Sequence, residues 1–167
     1  MRYRRLDDGS LEPLSQPNVD TGMGLERLVT GLQGIDSIYD SDLLSPLRTD
    51  VRSGWSLETL DERVVVDHLR SSTVVVGDGG LPSNTGRGYV LRRLVRRLLT
   101  LLWQVEPQWS IGDLERPSIG RTLDHFHQLR PVEDVRQVLL DEEERFRRLV
   151  LRGRDLVDRE LSRGPLD

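Results

Sequence analysis

The chain has 167 residues, a net charge of −4, no cysteine and no apolar run approaching the length of a bilayer span. That length fits a single domain, or a domain with a helical appendage, and the missing cysteine excludes a disulfide framework and thiolate metal sites. No signal-like apolar stretch opens the sequence, so a cytoplasmic protein without membrane contact is expected. All 24 basic residues are arginine, because lysine is absent, and alanine is absent as well. At a usage of about 8% per position, a chain this long lacks alanine by chance about once in a million. Codon bias exchanges lysine for arginine but does not readily remove alanine.

Residues 1–6, a turn at Asp7-Asp8-Gly9-Ser10 and a second extended run from Leu11 toward Met23 read as a β-hairpin, with Asp-Gly marking the turn. Two or three strands are marginal alone, so this edge is expected to pack on the helices that follow or on another protein. Leu25, Leu28, Val29 and Leu32 form one helical apolar face closed by Gly34. A short helix is expected over residues 40–47. A long buried helix follows Ser56, carrying Leu57, Leu60, Val64, Val65, Leu69 and Val74 to Val76 before the glycines of residues 77–80.

Residues 88–105 read as a helix with Val90, Leu91, Leu94, Val95, Leu98 and Leu102 inward and arginines outward. Residues 103–117 read as a loop and residues 118–129 as a helix. Pro131, suited to a first turn, opens a last helix reaching Leu161. At about 1.5 Å per residue that helix is about 45 Å long, so it is expected to project or to lie along a partner. The acidic run at residues 141–144 reads as its solvated side. The fold class is mainly α with a small antiparallel β element at the N-terminus.

The densest chemistry lies in residues 82–97, a polar glycine loop running into a helix with Arg87, Arg92, Arg93, Arg96 and Arg97 and no acid. A basic stripe of this kind suits a phosphate backbone, while Asn84 is a short amide able to reach a base edge. Two plainer readings stand beside this one: Asn84 as a loop residue or helix cap, and the arginines as a face paired with the chain's own carboxylates. His125 and His127 are two residues apart and share no helical face, so neither they nor any other group is expected to hold a metal. His68 beside Asp67 reads as a packing or hydrogen-bonding residue. No nucleophile, base and oxyanion donor assemble, so no catalytic residue and no cofactor are expected.

The sequence resembles bacterial alanyl-tRNA synthetase from about residue 8 to 163. The resemblance is carried by Val19-Asp-Thr-Gly-Met-Gly-Leu-Glu-Arg27, Tyr39-Asp-Ser-Asp-Leu43, Asp67-His-Leu-Arg-Ser-Ser72, Leu81-Pro-Ser-Asn-Thr-Gly-Arg-Gly-Tyr-Val-Leu-Arg-Arg93 and Glu142-Glu-Glu-Arg-Phe146. It implies two domains: residues 1–34 as an edge of a class II catalytic domain with its third motif, and residues 35–167 as a helical tRNA-recognition domain ending in a long helix. Arg27 matches the family's ATP-contacting arginine and is read as vestigial, since the first two motifs and the editing domain are not among these residues.

The resemblance also implies that Asn84 contacts the G·U pair that marks alanine tRNA, with Ser83, Arg87, Tyr89, Arg92, Arg93, Arg96 and Arg97 around it on the acceptor stem. The family's second reader, an aspartate in a Leu-Tyr-Asp-Thr-Tyr-Gly-Phe-Pro stretch, has no counterpart before Asp167. The expected function is a non-catalytic tRNA-binding module, with no DNA partner, serving an enzyme that uses alanyl-tRNA, such as an aminoacyl-tRNA-dependent acyltransferase. The alternatives are a subunit of a split alanyl-tRNA synthetase, beside a separate catalytic subunit, and a protein-interaction relic without RNA binding. Positions where the family commonly has alanine read Val29, Val66, Thr73, Gly77 and Leu98, as though translation of this chain were freed from the supply of charged alanine tRNA.

Overall fold

The computed structural model describes residues 3–16, 18, 22–128 and 130–162, and the chain forms two compact units, residues 1–41 and 42–167. In the first, β1 (Tyr3–Arg5) pairs antiparallel with β2 (Leu11–Pro13), Tyr3 opposite Pro13 and Arg5 opposite Leu11. Gly9 turns the hairpin at φ 82°, a conformation that costs a glycine little. The Asp8 carboxylate accepts from the Ser10 backbone at 2.9 Å and from its hydroxyl at 2.6 Å, which holds the turn and lowers the Asp8 pKa. Residues 19–21 of the expected second run lie outside the described residues.

Helix α1 (Leu25–Gln33) follows, closed as predicted by Gly34 in the left-handed region, whose N–H bonds the Thr30 carbonyl. Its apolar side chains Leu25, Leu28 and Leu32 are exposed, as are all six strand residues. A 3₁₀ turn at Ile38–Asp40 closes the unit. The helix expected over residues 40–47 instead begins at Ser45, because Pro46 has no N–H and is accommodated only in a first turn.

The second unit is a bundle of α2 (Ser45–Gly54), α3 (Thr59–Gly77), α4 (Gly86–Val105), α5 (Arg116–His125) and α6 (Val132–Leu161). Helix α3 is the hub and packs on the other four. Its Val65, Val66, Leu69 and Val76 are buried in the same core as Leu91, Val95, Leu98 and Leu102 of α4. Those four α4 residues recur at helical spacing and form one stripe. Val90 lies off that stripe and is exposed, and Leu94 is half-buried, whereas Leu99 and Leu101 are buried, so the inward face is displaced from the expected one toward the C-terminal half of the helix.

Helix α4 ends at Val105 as expected, so Trp103, which the expected loop over residues 103–117 also took in, is helical. Its ring stacks on Phe146 of α6 at 5.3 Å and its indole N–H donates to the Trp109 carbonyl at 2.8 Å. Helix α5 starts earlier and ends earlier than expected, with Pro117 in its first turn. Helix α6 has the predicted 30-residue length, but its buried residues are Val135, Leu139, Glu142 and Glu143, all in its first half.

The expectation that residues 141–144 form a solvated face is therefore corrected. Glu142 is 0% and Glu143 5% exposed. Each is buried because it has donors waiting. Glu143 accepts from the Ile111 N–H at 2.9 Å and the Ser110 hydroxyl at 3.1 Å, anchoring the 3₁₀ turn Ile111–Asp113 to α6. Arg147, one turn on, donates to the Pro107 and Trp109 carbonyls at 2.7 and 3.0 Å.

Candidate nucleic-acid interface

The loop before α4 is built by close backbone approach. Ser83 N–H donates to the Gly88 carbonyl at 3.0 Å, and the Ser83 hydroxyl donates to the Thr85 carbonyl at 2.7 Å. A Cβ at Gly88 would collide with the Leu81 carbonyl oxygen and the Ser83 side chain, so only glycine lets the first turn of α4 nest against this loop. Gly86 opens the helix at φ 58°, again a position suited to glycine. Thr85 takes the N-cap position without a side-chain cap bond.

Asn84 is exposed and does not cap the helix. Its Oδ1 accepts a hydrogen bond from Arg92 Nη1, two turns along α4. A guanidinium has only donors, so the bond fixes which end of the amide faces inward. The Nδ2 group is left as the donor available to a ligand.

Arg92 and Arg96 do not point outward as the sequence suggested. Both turn to Glu142 on α6, with side chains 15% and 27% exposed. Arg96 Nε donates to Glu142 Oε1 at 2.8 Å, and its guanidinium lies over the Phe146 ring at 5.0 Å. Arg92 Nε is 3.0 Å from the same oxygen without the alignment of a hydrogen bond. Glu142 Oε2 is buried without a hydrogen bond and has Arg145 at 4.0 Å. The physical reason for the correction is that a fully buried carboxylate requires paired cations.

The outward side of α4 carries Tyr89, Arg93 and Arg97, four residues apart and all exposed, with Arg93 6.0 Å from the Tyr89 ring centre. Arg87 is also exposed, in the first turn. Among the described residues neither Arg93 nor Arg97 is in a salt bridge with a carboxylate. Beside this stripe a cavity of about 530 Å³ is lined by His68, Val90, Arg93, Arg96, Arg97 and Thr100. Burial is the main cause that lowers the His68 pKa; the Asp67 charge opposes it, and the smaller effect of the Arg97 charge adds to the lowering. His68 is therefore neutral at neutral pH, and a phosphate entering the cavity would favour its charged form.

Of the predicted residues, Asn84, Arg92 and Arg96 thus form one connected chain, while Tyr89, Arg93 and Arg97 form a separate open stripe. Arg27 is exposed on α1 in the first unit. Sequence reasoning passed over Glu142. The signal was present, because Val135, Leu139, Glu142 and Phe146 follow one helical stripe and place a carboxylate in an otherwise apolar row.

Among the described residues no group of three or more His, Cys, Asp or Glu converges in a way that could hold a metal ion, and no helix is long and apolar enough to cross a membrane. The family model described as tRNA synthetases class II (A) matches residues 1–165, covering the hairpin, the Asn84 loop, the arginine helix and most of α6. The chain belongs to the class II tRNA synthetases, in the alanyl-tRNA synthetase family.

Proposed function

We propose that this chain is a tRNA-binding module without catalysis of its own. It takes the acceptor stem of alanine tRNA on the Asn84 loop and the outer face of α4, for a partner enzyme that uses alanyl-tRNA. The observation that carries the reading is the exposed Asn84 amide, locked by Arg92 with its NH₂ group facing out and bordered by the Tyr89, Arg93 and Arg97 stripe. The wide minor groove of A-form RNA presents base edges that such an amide can reach, and two exposed arginines one turn apart suit successive phosphates. On a chain of net charge −4, a local basic face can still attract RNA, because distribution of charge matters more than its sum.

The missing alanine supports a place near the alanyl-tRNA supply. At Gly77 the packing leaves no room for an alanine methyl: a Cβ would approach the Leu123 side chain to 2.8 Å and strike Gln128, which bonds the Val74 carbonyl and Asp78 at 3.0 and 2.8 Å. A partner such as an aminoacyl-tRNA-dependent acyltransferase fits this role. A second reading, a subunit restoring a split alanyl-tRNA synthetase, is favoured by the exposed leucines of α1 and the exposed hairpin, which a separate catalytic subunit would cover.

The test is binding to alanine tRNA at two salt concentrations, beside the same tRNA with its G·U pair changed to G·C. Tight, salt-sensitive binding weakened about tenfold by the change supports the module, a penalty of the size base readout carries. Equal binding to both leaves an acceptor-stem clamp. Absence of binding removes the reading in favour of a protein-interaction role.

A further inference from the structure

An asparagine on an exposed loop has a loose terminal torsion, and a half-turn about it exchanges a donor for an acceptor. A reader of base edges has to present one of the two. At Asn84 the choice is made by Arg92, which can meet only the oxygen. Arg92 is itself a long flexible side chain, and something has to hold it. That restraint comes from another helix: Glu142 of α6, 0% exposed, stands 3.0 Å from Arg92 Nε and is fixed in turn by Arg96 at 2.8 Å.

Arg96 cannot swing away freely, because it lies over the Phe146 ring, and Phe146 is stacked on Trp103. The order of restraint therefore runs from the α4–α6 interface through Glu142 to Arg92 and out to the amide of Asn84. Charge-assisted contacts in a buried setting are the strong ones, and withdrawing Arg92 would leave a buried carboxylate short of a cation.

We infer that Glu142 is the positioning residue for the Asn84 amide, so that selectivity for the base pair depends on a carboxylate that touches no RNA. The inference rests on the reading of Asn84 proposed above. Glu142→Gln keeps the size of the side chain but removes the negative charge that draws both guanidinium groups to it. With the charge attraction gone Arg92 loosens, the Asn84 amide turns over, and the donor is presented only part of the time.

Two measurements on the whole chain test this. In the first, affinities for G·U and G·C alanine tRNA are compared in the wild type, Glu142→Gln, Asn84→Ala and the double variant. The expected wild-type preference of about tenfold falls to within about twofold in Glu142→Gln, and adding Glu142→Gln to Asn84→Ala changes the ratio no further. A folded Glu142→Gln protein that keeps the wild-type ratio overturns the inference.

The second measurement needs no RNA. The side-chain ¹⁵N–¹H amide signals of Asn84 are expected to move toward those of a solvent-exposed asparagine in Glu142→Gln, and unchanged signals also overturn the inference. If the wild type itself shows no G·U preference, the reading of Asn84 fails, while the amide signals still decide whether Glu142 orients it. Should Glu142→Gln not fold, Arg92→Lys replaces it in both measurements. A lysine ammonium is a point charge that cannot span Asn84 and Glu142 together, and the same loss of ratio and the same shift are expected.

Discussion

Two buried carboxylates in the helical unit are each met by a pair of arginines one turn apart, and they differ in what lies beyond. Glu62 of α3 receives Arg48 and Arg52 of α2, one on each oxygen, at 2.5 and 2.6 Å. Glu142 of α6 receives Arg92 and Arg96 of α4 on a single oxygen, leaving the other without a hydrogen bond. The first joint has both acceptors filled and ties two helices of the scaffold. The second is lopsided, and one of its arginines continues to an exposed loop. The same chemistry makes a brace in one place and a positioned binding group in the other.

The electrostatics of the brace follow from its surroundings. Burial alone would raise the Glu62 pKa, but hydrogen bonds from Arg48 and Arg52, with their charges, outweigh burial and hold it below the ordinary carboxylate value. A group with a lowered folded pKa stabilises the fold above its unfolded pKa, and that contribution is lost as pH falls through the folded value. The α2–α3 joint is thus intact at neutral pH and weakens in acid.

The largest effect expected from breaking the comparison is on stability. Glu62→Gln leaves two guanidinium groups facing a neutral amide and should cost about 3 kcal/mol in urea unfolding, with Arg52 relieved in part by its exposure. The variant should also lose much of the acid sensitivity of the wild type. A cost near zero would mean that the joint is incidental.

Next in size is Gly88→Ala. The new methyl meets the backbone at Leu81, which cannot yield as a side-chain end can, so the loop has to shift. A loss of about 2 kcal/mol is expected, together with weakened tRNA binding, since the displaced loop carries Asn84 away from Arg92. Unchanged binding would show that the loop geometry does not matter for the ligand.

A smaller effect concerns salt. Replacing Arg93 and Arg97 by Gln should reduce the slope of log affinity against log salt by about 1 per phosphate contact removed, while the ratio between G·U and G·C tRNA stays as it was. Equal slopes in wild type and variant would leave the outer stripe idle.

The smallest effect is on pH. His68 is kept neutral by burial and by Arg97, and phosphate in the adjoining cavity would reverse that preference. Binding should then take up a proton and strengthen modestly as pH falls below neutrality, and His68→Gln should flatten the profile. A flat wild-type profile would place the RNA elsewhere.

Much of the fold was legible because its signals are local. Asp-Gly turned the hairpin, Gly34 closed α1, Pro131 opened α6, and the α4 stripe of Leu91, Val95, Leu98 and Leu102 is the buried one. Helix starts near Pro46 and Pro117 were misplaced because the apolar pattern was weighed above the position where proline is tolerated.

The candidate site was legible only in part. Residues 82–97 stood out by composition, but composition cannot tell an arginine aimed at solvent from one aimed at a carboxylate 46 positions away in the chain, as Arg96 is. Nor could composition separate Glu142 and Glu143 from the exposed Asp141 and Glu144; only the helical stripe of Val135, Leu139, Glu142 and Phe146 marks Glu142.

The most direct measurement sets the two joints side by side. Affinities for G·U and G·C alanine tRNA are measured for Glu62→Gln and Glu142→Gln at a temperature where both are folded. Glu62→Gln should keep the wild-type preference although it is less stable than the wild type, and Glu142→Gln should lose it. Loss of the preference by the same factor in both, or in neither, would contradict the account.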